Sequence, residues 1–202
     1  MDISTYMVLK DIFNSIDCKC FEGYYIAKIN ISKVNSRVET SNPIYKKIDR
    51  RNIIILKSYE VLANSAIYEI HITYFKPLVN IKTSITCLES RESKSELKMS
   101  AKLGEKITFD NLDVKWFYDN CSDDNSIHFG ENPVIPAVVI LKKIDTYLNQ
   151  LIEGSNSVSI KFHEPIYLLD NLYMNYIKDI SLKLTSESQS VCKNKIIIHG
   201  VK

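Results

Sequence analysis

The chain lacks any apolar run approaching the roughly 18 residues that a bilayer-spanning helix needs, so the sequence predicts no membrane segment. It also lacks a strong charge of either sign. Its 26 Lys and Arg against 24 Asp and Glu leave a net charge of +2, and nothing in that balance points to nucleic acid. The opening MDISTYMVLKDIF carries acids and has neither a basic start nor a small-residue cleavage site, which reads as a cytoplasmic protein rather than a secretory leader. Cysteine is present but unpatterned: there are 5, at irregular spacing. Cys18 and Cys20 find no second pair or nearby His to complete a four-ligand zinc site. Reduced thiols, no metal and no cofactor are the expectation. No low-complexity linker divides the chain. What is there is 45% apolar residues, enough for a core in one domain or two small ones.

Local patterns predict the following elements. Apolar residues Tyr6, Met7, Leu9, Ile12, Phe13 and Ile16 lie near helical spacing. Tyr24 to Ile31 alternates like a strand, Ser32 to Thr40 is polar and helix-like, and Ser41-Asn42-Pro43 reads as a turn. Asn52 to Ala63 is apolar all round in its first turns and predicts a buried helix. Strands are expected over Ile67–Phe75, Ile81–Leu88 and Glu96–Ala101, with a hairpin loop over Ser90–Ser95. Ile107 to Val114 then reads as extended, Trp116 to Asn120 as a short helix, and Ala137 onward as a second buried helix ending near Gly154. Strands are expected again over Val158–Ile166, Leu172–Leu184 and Ser190–Val201, with a turn over Ser186–Gln189.

That order suggests an internal repeat. Asn52 to Glu60 matches Ala137 to Asp145 without a gap, Ser41 to Tyr45 matches Asp124 to His128, and Ile72 to Pro77 matches Ile160 to Pro165. Each half would be a buried helix wrapped by antiparallel strands, and two such halves would cover each other's edges.

The stretch from Cys121 to Asp145 concentrates the chemistry. Asp123 stands five residues before His128, Pro133 and Pro136 stiffen the turn that follows, and a helix opens at Ala137. A carboxylate, a side chain that exchanges protons near neutrality and a helix N-terminus are the minimum for moving a proton beside a polarised carbonyl. The plainer reading makes Asp123, Asp124 and Asn125 turn or cap residues, His128 a hydrogen-bonded core histidine and the prolines mere turn-setters. His71, His163 and His199 have no partner at a telling distance and read as structural.

Asp123-Asp124-Asn125-Ser126-Ile127-His128 resembles the D-x-N-P-I-H motif of MaoC-like (R)-specific enoyl-thioester hydratases and dehydratases. Asn42-Pro43-Ile44-Tyr45 resembles a decayed copy. The following loop resembles the H-F-P-G-x-P-x-x-P-G of β-hydroxyacyl-acyl-carrier-protein dehydratases: His128-Phe129, Pro133 and Pro136 match, while Gly130, Glu131 and Ala137 depart and the catalytic Glu falls on Lys142. Phe162-x-x-Pro165 with Asp170 beyond it is similar to the strand motif after the helix in these families.

The resemblance implies an α+β fold: a double hotdog of two antiparallel sheets, each wrapped round a central helix and packed as a pseudo-dimer. Residues 1–101 would form a degenerate first hotdog and 102–202 a second one carrying the site. It implies a lyase acting on 3-hydroxyacyl or enoyl thioesters of CoA or acyl carrier protein, with no nucleic acid or membrane partner; a homodimer is compatible. Asp123 and His128 would be catalytic, and Asn125, Pro136 and Ala137 would bind substrate, the last through its backbone N–H. Glu60 or Asp145 would be the acid of a variant mechanism. Lys46, Lys47, Arg50, Arg51, Lys142 and Lys143 would face CoA phosphates or an acidic carrier, or simply form a solvated basic face. The alternatives are a non-catalytic acyl-thioester-binding hotdog and a hotdog thioesterase that uses Asp145.

Overall fold

The computed structural model describes residues 4–15, 21–34, 44–50, 52–62, 66–77, 104–168, 170–176, 181–188 and 191–201. Alternation builds its main element. In β4 (Ile67–Phe75), Tyr68, Ile70, Ile72 and Tyr74 are buried while Glu69 and His71 point the other way, as a period of two demands. β1 (Tyr25–Lys33) buries Ile29 and Ile31, and β6 (Ser157–Phe162) buries Val158 and Ile160. With β2 (Ile44–Arg50), β3 (Ile53–Val61), β5 (Glu105–Ile107), β7 (Leu172–Tyr176), β8 (Ser181–Ser188) and β9 (Val191–Val201), they form one nine-stranded sheet in the order β2-β3-β4-β1-β6-β9-β8-β7-β5. All its pairings are antiparallel.

Among the described residues, four α-helices accompany the sheet: α1 (Thr5–Asn14), α2 (Asn111–Asn120), α3 (Ala137–Lys143) and α4 (Asp145–Glu153). Val138, Val139, Ile140 and Leu141 of α3 are each at most 2% exposed, so this helix is apolar all round and lies in the core. Burying each such side chain stabilises the fold by about 1.5–3 kcal/mol. Ile144 (φ −109°, ψ 13°) breaks the helical run, but its own N–H still reaches the Ile140 carbonyl at 3.3 Å, and α4 continues to Gly154. α4 packs on β6, and α1 lies on both α3 and α4.

The α1 start is capped from outside. Ser4 makes no side-chain cap of its own. Instead Asp145 accepts from the Tyr6 N–H (3.1 Å) and the Ser4 hydroxyl (2.8 Å), and Asn149 accepts from the Thr5 N–H (3.2 Å) and hydroxyl (2.6 Å). The carboxylate therefore satisfies orphan donors at the positive end of the α1 dipole.

Several sequence expectations change here. Asn52 to Ala63 is not a helix: Ile53–Val61 is β3, paired with β4 along its whole length. The Ile-Ile-Ile-Leu run is β-branched and short, and such a run fits a sheet between two strands as readily as a helix. Because Asn52–Glu60 is a strand and Ala137–Asp145 is helical, the repeat that aligned them does not correspond in structure. A different symmetry is present. Outward from the β1·β6 seam the order reads β1-β4-β3-β2 on one side and β6-β9-β8-β7 on the other. The helix preceding β1 is α1, and the helix preceding β6 is α4. Two sheets were expected, and the strands instead form one.

Smaller differences lie downstream. Leu172–Leu184 divides into β7 and β8, β8 runs on through the expected turn to Ser188, and α2 begins at Asn111 where an extended segment was expected. Its start is fixed by a capping box, with Asp110 accepting from Leu112 and Asp113 N–H while Asp113 accepts from Asp110 N–H. The expected strands and hairpin loop over 81–101, the turn at 41–43 and residues 35–40 lie outside the described residues. Among the described residues no helix is long and apolar enough to cross a membrane.

Gly104 opens β5 where a Cβ would lie 1.7 Å from the Met174 carbonyl oxygen. Its N–H donates to Asn175 at 3.1 Å. We expect Gly104→Ala to prise β5 off β7 and lower the midpoint of thermal unfolding by several degrees, an overpacking cost of about 1–3 kcal/mol. Equal melting curves for the two proteins would refute it.

Candidate active site

The site is built on one turn between α2 and α3. α2 ends at Asn120 with an extended Cys121 as its C-cap, and shortly beyond it Asp123 Oδ1 accepts from the Asn125 N–H at 3.0 Å. This side-chain-closed turn leads into a 3-10 turn, Ser126–His128, with Asn125 at its N-cap.

Asn125 is 3% exposed and spends all its hydrogen-bonding capacity inside the protein. Its Nδ2 donates to the Phe21 (3.1 Å) and Tyr24 (2.9 Å) carbonyls, while its Oδ1 accepts from the Gly23 (3.0 Å) and Ile127 (3.4 Å) N–H groups. Gly23 offers that N–H from a left-handed φ of +73°, which a residue without Cβ adopts freely. One amide thus ties the turn to the chain entering β1.

His128 is 8% exposed and stands edge-on to Phe117, 5.4 Å between ring centres. Its Nδ1 lies 2.8 Å from the Val134 carbonyl oxygen. A carbonyl only accepts, so Nδ1 carries the hydrogen and the neutral ring keeps a lone pair on Nε2; the tautomer is assigned from this bond. Nε2 faces Asp123 Oδ2 at 3.6 Å, beyond hydrogen-bond length. Both atoms are acceptors, so a water or a substrate hydroxyl lying beside the pair could donate to either of them. Burial pushes the Asp123 carboxyl up, but His128 in its protonated form, by hydrogen bond and by charge, and the Asn125 N–H together bring it below its ordinary value. Asp123 is therefore a carboxylate at neutral pH.

The rim is aromatic. Tyr118 donates to the His128 carbonyl at 2.7 Å and stacks on the exposed Phe129, 5.1 Å between centres at 11°. Beyond it the loop is pinned twice, by Val134 N–H to Ile127 O (3.0 Å) and by Ile135 N–H to Ile166 O (2.7 Å). Pro136 then opens α3, accepting from the Val139 and Ile140 N–H groups, with no side chain capping the start. The first N–H groups of α3 have no intrahelical acceptor.

The structure thus brings Asp123, His128 and Asn125 together and continues their turn directly into Pro136 and Ala137. It does not bring in the variant acids. Both His128 ring nitrogens already face other groups, Asp145 caps α1, and Glu60 on β3 accepts from the Ser58 hydroxyl. Lys142 and Lys143 turn to α2: the Lys142 ammonium sits 4.0 Å above the Trp116 ring, and Lys143 pairs with Asp113 at 2.9 Å. No described side chain of Lys46, Lys47, Arg50 or Arg51 bears on their expected role.

Two supports carried no sequence signal. Glu22 bonds both the hydroxyl and the N–H of Ser126, the residue that stands where the resembled motif has Pro. Lys195, 8% exposed, donates to Pro165 O (3.1 Å) and pairs with Glu164 (3.1 Å) and Asp170 (3.7 Å). It thereby fixes the segment whose Ile166 and Tyr167 meet Ile135 and Val134. Among the described residues no group of three or more His, Cys, Asp or Glu is placed to hold a metal ion.

Solved structures share this architecture. HtdX of Mycobacterium tuberculosis matches with a TM-score of 0.55 at 11% identity, over 98% of this chain and 84% of its own. The full-length peroxisomal multifunctional enzyme type 2 of Drosophila melanogaster matches with a TM-score of 0.51 at 11% identity, over 98% of this chain. This chain spans 40% of that enzyme's length. A MaoC-like dehydratase from Phytophthora capsici is 8% identical, over 89% of this chain and 72% of its own, with a TM-score of 0.49. The fold is an α+β hotdog: one large antiparallel sheet accompanied by a few helices, α3 among them buried. No family model and no curated protein matches the sequence.

Proposed function

We propose that the chain is a tandem hotdog lyase that adds water to, or removes it from, enoyl and 3-hydroxyacyl thioesters of CoA or acyl carrier protein. The observation that carries this reading is the pair of acceptors, His128 Nε2 and Asp123 Oδ2, standing 3.6 Å apart with the tautomer fixed by the Val134 carbonyl. Residues 102–202 would be the hotdog that kept the chemistry and 1–101 the one that lost it, with α1 standing where α3 and α4 stand in the other half.

In hydration, a water held beside the two groups would add its oxygen to the β-carbon. Nε2 takes the water proton, the depressed Asp123 carboxylate stabilises the imidazolium, and a proton is returned to the α-carbon. The negative charge built up on the thioester oxygen would be met by the Ala137 N–H at the start of α3; one such donor contributes about 3 kcal/mol. Dehydration runs the same steps backward. The thioesterase reading is weakened because Asp145, its water-activating candidate, is filled by donors from α1 and Asn149.

Mixing the protein with enoyl-CoAs of increasing chain length while following enone absorbance tests the reading. Turnover that reaches a hydration equilibrium is expected. Tight binding with no absorbance change would indicate a binding protein, and release of free thiol would indicate a thioesterase.

A further inference from the structure

The face of the sheet turned away from the core carries a second constellation, at the seam between β1 and β6. Cross-strand register places three rows side by side. Lys28 pairs with Lys161, which pairs with Ile197, which pairs with Lys183. In the next row His71, Asn30, Ser159 and His199 follow one another across β4, β1, β6 and β9. In the third, Glu69, Ser32 and Ser157 do the same. A cleft of about 180 Å³ opens over the last two rows, several times the roughly 30 Å³ share of one water.

Two polar atoms in this cleft are buried without a hydrogen-bond partner, Ser159 Oγ and His71 Nε2. The latter lies 3.1 Å from Glu69 Oε2 without making a hydrogen bond to it. Glu69 is the sole acid in these rows, and it is already engaged by the Lys57 ammonium and by the Tyr59 hydroxyl at 2.7 Å. Lys28, Lys161 and Lys183 have no acid partner among the described residues. Like charges directly opposite each other across a strand pair are destabilising, so Lys28 facing Lys161 is a repulsion that a bound anion would relieve.

We infer that this cleft binds a compact phosphate group, held by the Ser157 and Ser159 hydroxyls, Asn30 and His71 and neutralised by Lys28 and Lys161. Hydroxyl, amide and imidazole donors with flanking ammonium groups are the donor set a tetrahedral dianion needs. Free phosphate and a phosphate ester present the same oxygens to this donor set.

Thermal unfolding of the intact chain tests the inference without reference to catalysis. Inorganic phosphate at ten times its dissociation constant should raise the melting midpoint by roughly 3–5 °C over chloride of equal ionic strength. Glycerol phosphate is the second arm: a larger shift at equal concentration assigns the site to esters, a smaller one to the free ion. Lys28→Gln with Lys161→Gln should melt higher than the parent in chloride, because the repulsion is gone, and should lose the phosphate response. Ser159→Val should lose the response as well. No phosphate shift in the parent, or an equal shift in the lysine variant, overturns the inference. Failed enoyl-thioester turnover leaves it untouched.

Discussion

Replacing His128 by Ala should lower turnover of an enoyl thioester by about 10²–10⁴-fold, the usual range for losing a general base. The loss should fall on kcat, because the ring acts on the reacting proton rather than on the bulk of the substrate. Asp123→Asn should approach the same loss by another route. The amide can donate to Nε2, occupying the lone pair that must take the proton, and it no longer stabilises the imidazolium. The Asp123 carboxyl lies below its ordinary value, so its contribution to stability is present above the unfolded pKa and fades only as pH falls through the lower folded one. The acid limb of the activity profile that belongs to Asp123 should therefore lie below that of an ordinary aspartate carboxyl. Unchanged kcat in both variants, with circular dichroism confirming the fold, would remove the lyase reading.

The second large effect is on stability. Asn125→Ala leaves the Phe21 and Tyr24 carbonyls and the Gly23 and Ile127 N–H groups without their partner. Each buried group left unsatisfied costs about 1–3 kcal/mol, and part of that is recovered by relaxation. A net loss of about 3 kcal/mol is expected, which lowers the melting midpoint by roughly 6–12 °C in a chain of this size. Asn125→Asp is the informative control. It is isosteric and keeps both acceptor bonds, but it sets a charge against two carbonyl oxygens, so it should be at least as damaging. A midpoint within a degree of the parent for either variant would show that the amide does not hold the turn.

Much of this site could be read from the chain alone, because its determinants are local. Asp123, Asn125 and His128 lie within one turn, and two of the side-chain bonds that shape it span only two residues, whereas the bonds from Asn125 to Phe21, Gly23 and Tyr24 could not be seen in the sequence. β4 was legible for the same reason: its alternation needs no partner to be seen. β3 was not. Ile53-Ile54-Ile55-Leu56 and Val138-Val139-Ile140-Leu141 are nearly the same string, yet one is a strand and the other a helix. What separates them lies outside the string: a β4 edge waiting beside the first, and Pro136 with a helical run reaching Gly154 around the second. The cap on α1 was likewise hidden, since Asp145 and Tyr6 are 139 residues apart. Read from the sequence, Asp145 was a candidate acid; in the fold it is a clasp.

The β1·β6 seam also governs how the chain must reach its native state. Ile31 pairs with Val158 across it, and α1 is held by α4, so the N-terminal portion completes its pairing only when distant sequence has arrived. Contacts of such long separation make for slow folding. During synthesis, which proceeds N-terminal end first at about 5–20 residues per second, the bare edge of β1 waits in the open until β6 leaves the ribosome, the interval in which a chaperone would matter most.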